Sequence, residues 1–356
     1  MLKLKITPKY GSLFILLVSL LVSSPAFGES AGIAWESRYN GPGNGDDYAY
    51  AIARDDSGNI YVTGGSYGSG GDEDYATIKY YPSGEVAWVR RYNGIGFNHD
   101  RAYAMALDNL NNIYVTGGSY GQGTSFDYVT IKYYPNGDTG WVRRYDGPGN
   151  AEDFAQAIAV DDSNNVYVTG YSLGNGTYED YATVKYYPNG DTAWVRRYDG
   201  PADYTDRAMA ISIDRFGHIC VTGVSYSNET YFDYATIMYY PNGDTAWVRR
   251  YNGAENSDDC ANAIATDEAG NVFVTGQSDM DFVTIKYDSS GNELWIGRYV
   301  GTNLVAQANA IVLDESGNVY VTGGAYDMYT AYDYATVKYD QAGEQIWAKR
   351  YDSCYS

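Results

Sequence analysis

A Val-Thr-Gly triplet recurs six times along this chain, with its threonine at positions 63, 116, 169, 222, 275 and 322, at intervals of 53, 53, 53, 53 and 47 residues. Such a chain has to solve one burial problem six times. Each unit holds four short runs rich in β-branched and aromatic residues, seen in the third unit as 155–160, 166–170, 181–187 and 193–198. The first pair is joined by Asp161-Asp162-Ser163-Asn164-Asn165 and the last by Pro188-Asn189-Gly190-Asp191, residues that tolerate the positive φ of a tight hairpin. No run has helical period. One four-stranded sheet cannot bury both of its faces until neighbours stack on it, and a period near 50 suits that arrangement better than the shorter repeat of a parallel β-helix. The expectation is all-β: a six-bladed β-propeller of four-stranded antiparallel blades, near residues 46–92, 99–145, 152–198, 205–251, 258–299 and 306–351.

Within a unit the first run is the most alanine-rich, starting near Ala49, Ala102, Ala155, Ala208, Ala261 and Ala308. Small residues suit the crowded axis, so this strand is placed innermost. The run bearing Trp88, Trp141, Trp194, Trp247, Trp295 or Trp347 is then outermost. Its arginine pairs, such as Arg90-Arg91 and Arg196-Arg197, suit an edge that must refuse further pairing. One run is surplus: residues 33–39, IAWESRY, copy the outer strand with Trp35 lying 53 residues before Trp88, yet no inner strands precede them. This extra outer-type strand is expected to dock on the last blade and close the ring, with Trp35 and Trp347 as rivals for one place.

Residues 1–28 read as a secretory leader, with Lys3, Lys5 and Lys9, an apolar run from Leu13 to Val22, and small residues around Ala26-Phe27-Gly28. The expected location is secreted, periplasmic or at the cell surface. Loss of those lysines takes the formal charge from −21 to −24, which disfavours nucleic acid and anionic membranes as partners. No further membrane span is expected, and the chain is expected to be monomeric. Cys220, Cys260 and Cys354 are scattered and odd in number, so they form no disulfide framework.

The pattern A-x-A-I-A-x-D-x-x-G-N-x-Y-V-T-G followed by D-Y-A-T-[IV]-K-Y spans 49–64 with 74–80, and returns at 308–323 with 333–339 in slightly varied form. It resembles the bacterial SBBP-type β-propeller repeat. That resemblance implies a propeller and an exported or cell-surface setting; it implies no activity.

In an up-and-down blade the short first and third turns share one face, and the long second turns and the interblade connectors share the other. The long loops are rich in Tyr, Gly, Ser and Asn, a composition suited to rigid aromatic contacts with adaptable hydrogen bonds. Tyr67, Tyr120, Tyr171 and Tyr226 lie early in four of them and are candidates to stack on sugar rings; the alternative is packing within the loops. Asp47, Asp100, Asp153, Asp206 and Asp259 precede the inner strands and could converge at the channel mouth to hold Ca²⁺, or could instead bond to backbone. No other cofactor is expected. Asp74, Asp127, Asp180, Asp233, Asp281 and Asp333 recur in all six units, which points to a structural contact, since catalysis needs one asymmetric constellation. The two histidines are asymmetric: His99 stands beside Asp100, and His218 lies in a first turn on the opposite face. The functional expectation is a non-catalytic exported binding or scaffold protein that presents one loop face to a glycan or an extracellular protein. The alternative is a lyase or hydrolase acting on a polysaccharide near His99.

Overall fold

The computed structural model describes residues 33–96, 98–301, 305–327 and 331–351. The leader and Cys354 lie outside the described residues. Among the described residues twenty-four strands form six sheets of four, each an antiparallel meander in chain order. The first strands are Asp47–Arg54, Asp100–Leu107, Asp153–Val160, Asp206–Ile213, Cys260–Thr266 and Ala306–Leu313. Each packs against the first strand of the next blade, from blade one to blade six, so the alanine-rich run is innermost. The Trp-bearing outer strands are Val86–Tyr92, Thr139–Tyr145, Thr192–Tyr198, Thr245–Tyr251, Glu293–Tyr299 and Gln345–Tyr351.

The Val-Thr-Gly triplet has two local causes. Its threonine, buried in the first five blades, meets the threonine opposite on the third strand, as in Thr169 with Thr183 at 2.9 Å between hydroxyls. Its glycine faces a bulge in the first strand; a Cβ on Gly170 would sit 2.0 Å from the Phe154 carbonyl oxygen, so only glycine fits. The first turns close around an aspartate. Asp161 accepts from the backbone N–H and the side-chain amide of Asn165 and from the Tyr167 hydroxyl, at 2.8–2.9 Å.

Blade-to-blade contacts are equally repetitive. Tyr75, Tyr128, Tyr181 and Tyr234 are buried and donate through their hydroxyls to the carbonyls of Val129, Ala182, Ala235 and Val283 on the next blade, at 3.0–3.3 Å. The indole N–H of Trp88, Trp141, Trp194, Trp247 and Trp295 donates to a third-turn carbonyl of the next blade, at 3.1–3.2 Å. The arginine pairs do more than guard an edge. The first of each pair donates Nε to the next blade's turn, as Arg143 does to the Gly190 carbonyl at 2.6 Å. The second, with its counterparts Arg298 after Gly297 and Arg350 after Lys349, pairs with the repeated aspartate of its own third strand: Arg91 with Asp74, Arg144 with Asp127, Arg197 with Asp180, Arg250 with Asp233, Arg298 with Asp281 and Arg350 with Asp333, at 2.6–2.9 Å. Five apolar clusters result, one for each successive pair of blades from one–two to five–six.

Residues 33–39 join no ladder, and no pairing with the outer strand of blade six is seen among the described residues. They lie against blade one instead. Trp35 packs on Tyr80 with ring centroids 5.7 Å apart and covers Gly84, while Arg91 donates to the Tyr39 hydroxyl at 3.1 Å.

Candidate functional site

Three of the four candidate tyrosines share a position. Tyr67, Tyr120 and Tyr226 stand at or next to the end of a second strand, within the ladder rather than in the loops beyond it. Tyr171 sits two places earlier in its repeat, and its ring is packed between Phe154, at 5.5 Å, and the Arg207 guanidinium, at 4.9 Å. Burial there raises its hydroxyl pKa. Tyr67 meets His99 edge-on, and a side chain at Gly45 would collide with its ring. Tyr120 packs edge-on against Phe126 at 5.4 Å. These are half-buried supporting rings.

Tyr226 belongs to a different environment. It touches Tyr204 at 4.6 Å, Phe232 at 5.4 Å and Tyr231 at 6.4 Å, and Tyr204 continues the run to Tyr178 at 4.8 Å. Tyr178, Tyr204 and Tyr231 are 57%, 42% and 58% exposed. The result is a solvent-facing aromatic run on the long-loop face, built from the second-turn loops of blades three and four and the connector between them. Sequence reasoning that followed positions filled in most blades missed Tyr178, Tyr204 and Tyr231: Tyr178 and Tyr231 lie one period of 53 apart, after Thr177 and Thr230, in two blades only, and Tyr204 has no counterpart. The available signal was the Thr-Tyr pair shared by the long loops of blades three and four.

The acidic ring does not converge on a channel mouth. Each aspartate turns into its own interblade connector and accepts from the backbone N–H of the glycine six residues earlier: Asp47 from Gly41, Asp100 from Gly94, Asp153 from Gly147, Asp206 from Gly200 and Asp259 from Gly253. Asp100, Asp153, Asp206 and Asp259 are buried. Burial raises all four carboxyl pKa values, those of Asp153 and Asp206 to about 6, against hydrogen bonds that pull the other way. Carboxylates gather in two places only among the described residues: Asp127 with Asp146 and Asp153, and Asp180 with Asp199 and Asp206, with oxygens within 4.8 Å of one another. Arg144 and Arg197 already engage one member of each group, and Asp153 and Asp206 are each bonded to a connector N–H, so neither group presents three free carboxylates.

His99 does not act with Asp100. Its Nδ1 accepts from the Glu73 backbone N–H at 3.2 Å and lies 3.6 Å from the Glu73 carboxylate, which Arg101 also grips. Asp100 is occupied by the N–H groups of Gly94 and Tyr120. His218 stands where other blades carry the turn asparagine and bonds to Asp214 at 2.8 Å, a structural substitution. A cleft of about 470 Å³ opens on the short-turn face between Asp161, Asp214, Phe216 and Glu268. Asp161 and Asp214 there are engaged by their own turns.

The repeat itself decides the kinship: a model of the SBBP β-propeller repeat matches residues 141–176 and 246–282. The chain is a β-propeller repeat protein. The propeller is similar to a protein from Lactobacillus plantarum, at 13% identity over 78% of each chain and a TM-score of 0.51. It also resembles a protein of unknown function from Bacteroides caccae, at 12% identity over 82% of this chain and 93% of that one, with a TM-score of 0.46. A gluconolactonase from Xanthomonas campestris aligns at 13% identity over 72% and 80% of the two chains, with a TM-score of 0.40; likeness at that level carries no argument about activity. No curated protein sequence matches the propeller. Among the described residues no helix is long and apolar enough to cross a membrane.

Proposed function

We propose that this propeller is an exported, non-catalytic binding or scaffold protein that presents its long-loop face to a glycan. The exposed run Tyr178–Tyr204–Tyr226–Tyr231 carries this reading, because linked, solvent-facing tyrosines offer flat apolar area with hydroxyls at the rim, at little cost in side-chain entropy. The hydrolase or lyase alternative has less support, since His99 and Asp100 are each engaged elsewhere. A glycan array followed by titration of the bound sugar tests the proposal. Tyr204→Ala and Tyr231→Ala are expected to weaken binding by about tenfold or more each, on the scale of aromatic anchors, while Tyr171→Phe leaves it unchanged. Binding that survives both alanine variants would remove this face from consideration.

A further inference from the structure

Equivalent apolar positions on the two blade flanks that meet each other lose their cover where blade six faces blade one. Tyr334 corresponds to Tyr75, Tyr128, Tyr181 and Tyr234, which are at most 1% exposed under the following blade; Tyr334 is 66% exposed. Tyr320, Thr322 and Lys338 of blade six are half-buried where their counterparts in the other blades are buried. Across the gap, Ala49 is exposed and Ile60 and Val62 are half-buried, whereas Ala102, Ile113 and Val115 and their counterparts in blades three to six are fully buried. No apolar cluster among the described residues joins these two flanks, although one joins every other successive pair. The outer part of blade one's flank is covered, however, and by residues 33–39. Trp35 covers Gly84 as Trp88 covers Gly137 and Trp141 covers Gly190, and Arg91 reaches Tyr39 as Arg197 reaches Tyr145. Residues 33–39 thus stand in the outer-strand place of a blade that would precede blade one. Blade six cannot be that blade, since its own outer strand, Gln345–Tyr351, is paired in place.

We propose that the gap is a docking site for three antiparallel strands of this same repeat that are not among these 356 residues, with their third strand pairing to residues 33–39. The five existing interblade interfaces define what the two flanks are shaped to receive: a small-residue first strand against Ala49, and Val-Ile positions against Tyr320 and Tyr334. All six inner triplets of this sequence already lie in their own blades, so none of them fills the gap.

The test adds a synthetic triplet copying residues 99–133 to the full mature protein, read by native mass spectrometry and thermal melting. A one-to-one complex is expected, with the thermal midpoint raised by about 5 °C or more. Tyr334→Ser and Trp35→Ala should each weaken it by about tenfold or more. Should the peptide prove insoluble, the same triplet fused after Ser356 through a flexible linker gives the same readout against a scrambled fusion. No gain in either format overturns the proposal. So does ready disulfide formation in an Ala49→Cys/Tyr334→Cys variant, which would show blade six closing directly on blade one, and so does a concentration-dependent dimer in which a second copy fills the gap.

Discussion

At the scale of the residue, buried carboxyls give the propeller a pH response opposite to that of most acidic folds. Burial, reinforced by Asp127 and Asp146, raises the Asp153 carboxyl to about 6, and burial reinforced by Asp199 does the same for Asp206, both above the ordinary 3.8. The folded state therefore binds more protons than the unfolded chain between these values, and stability falls as pH rises through that window. Asp100 and Asp259 act in the same sense. Asp288 and Asp314, held low by the amides of Asn292 and Asn318, act in the opposite sense, but only below the ordinary value. The thermal midpoint is accordingly expected to fall between about pH 4.5 and 6.5, each of the two raised groups contributing at most about 2–3 kcal/mol. In Asp153→Asn/Asp206→Asn, whose amide oxygens still accept from Gly147 and Gly200, the slope should flatten. A midpoint that climbs with pH in the parent would refute the assignment.

At the scale of the element, the third turn is where one blade grips the next. Gly190 adopts φ +88°, and an added Cβ would lie 2.8 Å from Trp141 Cγ and 3.0 Å from Arg143 Nη2 of the preceding blade. Gly176, in a long loop at φ +94°, has nothing within 4 Å. Gly190→Ala should therefore cost about 2–4 kcal/mol, from backbone strain and displacement of Trp141, while Gly176→Ala should cost only the backbone share of about 1 kcal/mol. Urea midpoints at unchanged m-values measure both. Equal losses would mean that the Trp141 contact yields freely. The first turns show the same economy of means: Asp214 accepts from His218 where Asp161 accepts from Asn165, so an odd histidine becomes a turn residue.

At the scale of the whole molecule, residues 33–39 cover the outer part of blade one's flank. Starting the chain at Gly41 would uncover Tyr80 and the Gly84 turn, and is expected to cost about 1–3 kcal/mol through lost Trp35 and Tyr39 burial. Trp35→Ala should account for most of that loss in a thermal melt, and a silent truncation would show that the segment does not hold its place in solution. The acidic surface bears on this scale as well. A formal charge of −21 keeps copies apart and leaves an uncovered flank less prone to edge-to-edge association.

Much of the fold was legible in the sequence because repetition samples one physical problem six times. The Val-Thr-Gly spacing, the Asn-Gly turns and the Trp series each point to one strand of one blade, and a period of 53 leaves little else to build. Periodicity also identified Asp74 and its five counterparts as structural, and each proves to be an arginine partner. The same method was blind wherever the chain departs from its own pattern. Tyr204, which has no counterpart in other units, links Tyr178 to Tyr226 and so to Tyr231 only because two blades and a connector fold together, and the four tyrosines chosen by loop position mixed supporting rings with one member of that run. Whether an aspartate faces a channel or a backbone N–H depends on side-chain direction at a strand start, which composition does not encode. The sequence alone therefore determined what repeats, since local pattern sets strand, turn and packing face; tertiary structure alone decided what does not repeat, since exposure and convergence belong to surfaces assembled from distant residues.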